Sequence, residues 1–106
     1  MIYELRIYDI IPNRRGALYD RFKAGALRLL AKHGFKLVNM WEPTDGQEKL
    51  FYILEWEDET ARARGWNSFR SDPEWQELKS TTEAAGPMVT KMEHFFLRDL
   101  QLLPKD

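Results

Sequence analysis

The sequence predicts an α+β domain in which four antiparallel strands carry two helices on one face. Three observations predict it. Apolar residues alternate with period two in four segments, they recur at spacings of three and four in two others, and turn residues separate these segments in the order βαββαβ. One domain is expected from 106 residues, because two separate cores in so short a chain would each be too small to be stable. A hydrophobic share of 43% and a charged share of 31% fit a globular domain, and with Cys 0 neither a disulfide framework nor a thiolate metal site is available.

The first strand, Ile2 to Asp9, sets Tyr3, Leu5 and Ile7 on one side and Glu4, Arg6 and Tyr8 on the other. Pro12 and Asn13 end it. Asn13 is placed to cap a helix whose inward stripe is Leu18, Phe22, Gly25, Leu29 and His33, with Arg14, Arg21 and Arg28 on a solvated face. Gly34 supplies a left-handed stop behind Lys32 and His33, which suit the negative end of the helix dipole. Phe35 to Glu42 and Lys49 to Glu57 read as a hairpin around Pro43, Asp45 and Gly46. A two-residue Asp45-Gly46 turn would put Asn39 opposite Tyr52, Trp41 opposite Leu50 and Leu37 opposite Leu54.

Asp58 caps a second helix bearing Ala61, Gly65, Trp66 and Phe69. Ser71-Asp72-Pro73-Glu74 restarts that helix with a proline in its first turn, and Trp75, Leu78 and Thr82 continue its inward stripe. Gly86-Pro87 stops it, and Met88 to Leu97 forms the last strand. The domain is expected to span residues 1–99, followed by a C-terminal tail over 100–106.

This order is the ferredoxin-like arrangement, which leaves one sheet face without a cover inside the monomer. That face is expected to hold Glu4, Arg6, Tyr8, Val38, Met40, Phe51, Ile53, Phe95 and Leu97, since this set mixes charge with large apolar groups. An apolar face this wide calls for a two-fold dimer packed sheet to sheet. Its expected interface is Arg6, Tyr8, Met40, Phe51, Ile53 and Glu55, with Arg6 and Glu55 as charge partners.

Tyr3-Glu4-Leu5-Arg6 with Tyr8, then Pro12, Phe22, His33-Gly34, Trp41, the Tyr52-bearing strand and Asp72-Pro73-Glu74-Trp75 resemble the NIPSNAP family, within the dimeric α/β-barrel superfamily. The resemblance runs from Ile2 to Leu97 and departs from the usual Pro-Gly at Pro12-Asn13, where asparagine also tolerates left-handed geometry. It implies a sheet-to-sheet dimer with a cavity between each sheet and its helices. It does not fix a reaction, because the superfamily spreads one fold over monooxygenases, haem enzymes and plain binders. Cofactor-free oxygenases of the superfamily use Asn, Trp, Tyr and Arg in such cavities, so a cofactor-independent monooxygenase-like activity is compatible with the residue types. Haem-degrading relatives would want a histidine on a helix facing the cavity, and the second helix has none.

The candidate ligand-binding residues are His33, Asn39, Trp41, Tyr52, Trp56 and His94. Asn39 and Tyr52 would orient a small hydrophobic organic ligand between tryptophan walls, following the usual pattern of an apolar lining with a few polar anchors. Each also has a plain structural reading: Asn39 and Tyr52 satisfying one another, His33 capping a helix end, His94 sitting in the core. The corresponding alternative for the whole protein is a non-catalytic interaction or scaffold module. Two histidines without further ligands argue against a metal site, and no cofactor is expected. The Asn13-Arg14-Arg15 run reads either as an anion site or, preferably, as a solvated pair.

Net charge is -1, positive before residue 42 and negative after it because the acids gather in the second part, so a general nucleic-acid binder is not expected. The strand Lys49 to Trp56 has the aromatics of an RNA-recognition strand but not its glycines. No apolar run is long enough to span a bilayer, and Met1 to Arg6 lacks the pattern of a secretory signal, so no membrane partner and a cytoplasmic location are expected.

Overall fold

The computed structural model describes residues 1–104; residues 105 and 106, the end of the expected tail, lie outside the described residues. In chain order the elements are β1 (Ile2–Ile10), α1 (Arg15–Arg21), a π-helical stretch (Phe22–Ala26), α2 (Leu27–Lys32), β2 (Lys36–Trp41), β3 (Lys49–Trp56), α3 (Glu59–Arg70), α4 (Pro73–Thr82) and β4 (Val89–Leu97). The strands form one antiparallel sheet in the order β2-β3-β1-β4. The expected ferredoxin-like fold is therefore the one observed.

The helix signals act largely as read. Asp58 and Asp72 cap α3 and α4 by accepting from the N–H of Ala61 and Glu74. Gly34 and Gly86 take left-handed φ values of +83° and +119°. Asn13 does not cap α1; it adopts φ 70° in the turn, and Arg14 occupies the cap position. Arg14 and Arg15 are held by backbone carbonyls, Arg14 by those of Thr82 at the end of α4 and Gly86 beyond it and Arg15 by those of Gly46 and Gln47.

Two expectations about the sheet are corrected. The alternation of β1 is as read but its sides are reversed: Glu4 and Arg6 are buried under the helices, Tyr8 packs against the core, and Tyr3, Leu5 and Ile7 take the other side. Pairing agrees, since Glu4, Arg6 and Tyr8 stand opposite Leu54, Tyr52 and Leu50, which are all buried. In β2, Leu37 does pair with Leu54, but an irregularity at Val38 shifts every later partner. Met40, not Asn39, stands opposite Tyr52, and Asn39 and Trp41 pair with Ile53 and Phe51 on the uncovered side. A single extra residue in a period-two element exchanges the faces of all that follows.

The core thus lies between β3 and the helices, with Leu50, Tyr52, Leu54 and Trp56 packed beneath Leu18, Phe22, Leu29, Leu30, Trp66 and Phe69. Gly65 lets α3 approach closely: a Cβ there would lie 2.7 Å from the Trp56 ring.

Candidate functional site

Burying Glu4 and Arg6 is tolerable because they pair with one another and both carboxylate oxygens of Glu4 find donors. Glu4 is 0% exposed; its Oε1 accepts from the indole N–H of Trp56 at 3.1 Å and of Trp66 at 3.0 Å, and its Oε2 accepts from Arg6 at 2.9 Å. Arg6 lies over the Trp66 ring, 4.3 Å from its centroid, and its Nε donates to the Tyr52 hydroxyl at 2.7 Å. Tyr52 and Tyr8 hydroxyls are 2.6 Å apart.

Direction in this chain follows from counting donors. Tyr52 already accepts from Arg6, and the Tyr8 oxygen is the acceptor that remains for its own proton. Burial, with Tyr8 adding to it and Arg6 opposing, pushes the Tyr52 pKa well above the ordinary tyrosine value, so the phenol keeps that proton. Burial also disfavours the Arg6 guanidinium, but Tyr8, Tyr52 and Glu4 outweigh it and the pKa of Arg6 rises. Arg6 donates to Tyr52, and assigning Tyr52 as donor to Tyr8, the direction that satisfies its buried proton, leaves the Tyr8 O–H to point outward.

What it faces is a cavity of about 300 Å³ between the sheet and the helices. Phe22, Ala26, Trp66, Phe69, Trp75 and Met92 supply its apolar wall, and Arg6, Tyr8, Tyr52, Arg21, Arg70 and Lys79 its polar groups. Phe22 and Ala26 are the two ends of the π-helical stretch, a local widening of the kind that recurs at functional sites. Arg21, read as solvated, is largely buried here, paired with Glu83 at 2.9 Å and lying over the Trp75 ring.

The residues expected at a single site are distributed over the molecule. Tyr52 reaches the cavity just described. Trp41 lines an apolar groove of about 260 Å³ beside β2, where Tyr19 donates to Glu42; burial and that carboxylate push the Tyr19 pKa up to about 12. Trp56 and His33 border a third depression, open between α2 and α3. Asn39 is exposed and its side chain accepts from the backbone N–H of Met40. His94 stands across from Arg6 on β4 but is exposed, tilted against Phe96. His33 bonds Ser68 at 2.5 Å and Asp72 at 2.7 Å, and Asp72 also takes Lys32 at 2.9 Å. This knot clamps the end of α2 to α3 and the start of α4. The His33 contact and then that of Lys32 hold the Asp72 carboxyl well below its usual range.

Of the expected interface, Phe51, Ile53 and Glu55 belong to the uncovered face, whereas Arg6, Tyr8 and Met40 point toward the helices. Glu55 is matched by Lys36 and Tyr3, not by Arg6. Reading the sequence missed Arg21, Arg70, Lys79 and Trp75 as cavity residues, because helix residues converge on a cavity only once the helices are docked. The buried carboxylate had a readable signal: tryptophans on a core face need acceptors for their N–H groups, and Glu4 is the acidic residue in the strand that could meet them. Among the described residues no cluster of metal-ligating side chains is found, and no helix is long and apolar enough to cross a membrane.

The fold has many relatives. A NIPSNAP domain protein from Burkholderia xenovorans superposes with a TM-score of 0.84 at 19% identity, covering 99% of this chain and 100% of that one. A NIPSNAP family protein from Agrobacterium tumefaciens gives 0.85 at 16% identity, covering 97% and 96%. SnoaB from Streptomyces nogalater, described as a cofactor-independent oxygenase, gives 0.69 at 18% identity, covering 98% and 97%. These likenesses establish a shared fold. A comparison with curated proteins returned no match. The NIPSNAP family profile matches residues 3–104, nearly the whole sequence, and the chain belongs to the NIPSNAP family.

Proposed function

We propose that this protein is a homodimeric binder of a small hydrophobic organic molecule, held in the cavity between sheet and helices. The observation that carries the reading is the cavity lined by Arg6, Tyr8 and Tyr52, in which an aromatic wall meets a hydrogen-bond donor aimed outward. The volume is at the small end of ligand cavities and suits a molecule of one or two rings. The lining holds cations and phenols and, among the described residues, neither a carboxylate nor an imidazole; the proposal made here is binding.

Pairing of two subunits is supported by the uncovered sheet face, where Leu5, Ile7, Phe51, Ile53 and Phe95 form an apolar centre edged by the ion pairs Lys36–Glu55 and Lys91–Glu93. A thermal-shift screen of phenols, quinones, aromatic acids and fatty acids tests the binding site, since a ligand of the native state raises the melting temperature. A set of hits lost in Trp75→Ala is the expected result; no hit in any class would refute the reading. Light scattering tests the dimer, and a monomer at high concentration would refute it.

A further inference from the structure

The geometry points to an aromatic anion as the occupant of this cavity: a planar ring system carrying one carboxylate or enolate oxygen, seated on the Tyr8 hydroxyl with Arg70 and Lys79 at the mouth. The inference rests on the cavity being a ligand site and adds the charge class of the ligand.

Four cationic side chains, Arg6, Arg21, Arg70 and Lys79, border the cavity, and no acid does. Two of these are matched from behind, Arg6 by Glu4 and Arg21 by Glu83. Arg70 lies over the Trp66 ring at 5.2 Å, and neither it nor Lys79 belongs to an ion pair among the described residues. The local excess is therefore positive. A neutral ligand would enter beside these cations without meeting them; an anion would be attracted by both, in a site walled by low-dielectric aromatic rings.

The relay adds direction to this charge. Arg6 donates to Tyr52, and with Tyr52 assigned as donor to Tyr8 the successive bonds polarise the last O–H, which is then a stronger donor than an isolated phenol. Such a donor prefers an anionic oxygen, because bonds to charged acceptors are the stronger ones. Beyond that oxygen lie Phe22, Phe69 and Trp75, and Trp75 packs on Phe69 at 4.5 Å between ring centroids. This is a wall that accepts a flat ring by edge and face contacts.

Calorimetric titration with a matched pair, 2-naphthoate and 2-naphthamide, tests the inference at neutral pH. The two share a ring system and differ in charge. The naphthoate is expected to bind about tenfold or more tightly than the amide, and to lose about tenfold in the exposed double variant Arg70→Gln/Lys79→Gln, a larger loss than that of the amide. Tyr8→Phe is expected to weaken the acid more than the amide. Equal affinity for the two compounds, or a naphthoate affinity indifferent to the double variant, would overturn the anion inference and leave the cavity as a site for neutral ligands. Binding of neither compound would overturn the inference as well, and if the broader screen is also empty, the cavity reading falls with it.

Discussion

Replacing Glu4 by glutamine tests whether the buried network is the ionic hub that aims Tyr8. The substitution changes a carboxylate to an amide of nearly the same shape, so packing is preserved and the change is electrostatic. The carboxylate accepts from three donors, the two indoles and Arg6. The amide has one oxygen and one NH2. If its oxygen stays with the tryptophans, the NH2 confronts the guanidinium of Arg6; if it turns, the NH2 confronts two indole N–H groups. Losing one charge-assisted bond is worth about 1.5–3 kcal/mol and a donor left facing a donor about 1 more. A total near 3 kcal/mol is the expectation. For a domain of this size it lowers the melting temperature by roughly 12–24 °C.

Urea titration read by tryptophan fluorescence measures this loss, and the same signal reports on both indoles. Arg6→Met closes the cycle. Alone it strands the carboxylate and removes the donor to Tyr52; combined with Glu4→Gln it relieves the donor clash, so the double variant is expected to be more stable than the two losses summed by about 1.5–2 kcal/mol. A Glu4→Gln protein within about 0.5 kcal/mol of the parent would show that the acceptor was not an ionised carboxylate, and strict additivity would show that Glu4 and Arg6 do not act as a pair.

Gly65→Ala is expected to destabilise by about 1–2 kcal/mol, because the added Cβ meets the buried Trp56 ring and overpacking outweighs the gain of nearly 1 kcal/mol in helix propensity; a stabilised variant in thermal melts would contradict the close approach of α3. Asp72 has its pKa lowered on folding, so the stability it contributes is present above about pH 4, its ordinary range, and drains away as the pH falls below that. Asp72→Asn retains a helix cap, and the gap in urea midpoint between it and the parent is expected to shrink between pH 7 and pH 3; a constant gap would refute the linkage. Phe51→Glu puts a charge in the apolar centre of the uncovered face while leaving the monomer core untouched, so light scattering is expected to show monomers with an unchanged circular dichroism spectrum. Persistence of the dimer would place its interface elsewhere.

The course of the chain was legible because local chemistry sets it: Asp58, Asp72, Gly34 and Gly86 mark element ends by capping and left-handed geometry, and those effects need no knowledge of the rest of the molecule. The orientation of β1 was not, and the reason is a matter of magnitudes. A rule that turns charges to water assumes that burial of a carboxylate is uncompensated, whereas here Arg6 of the same strand is joined by Trp56 and Trp66 from two other segments to compensate it. The position of Asn39 was lost to the irregularity at Val38, for which no glycine or proline stood as a signal. Both errors have the same consequence for function. They move the polar anchor of the cavity from an Asn39–Tyr52 pair in the hairpin to an Arg6–Tyr52–Tyr8 chain across the central strands, fixed from behind by Glu4. An anchor held by a buried ion pair cannot reorient to suit its ligand. Charge preference in the proposed site can therefore be separated from stability at the exposed ends of Arg70 and Lys79, which can be altered without disturbing the fold, whereas altering the relay disturbs both.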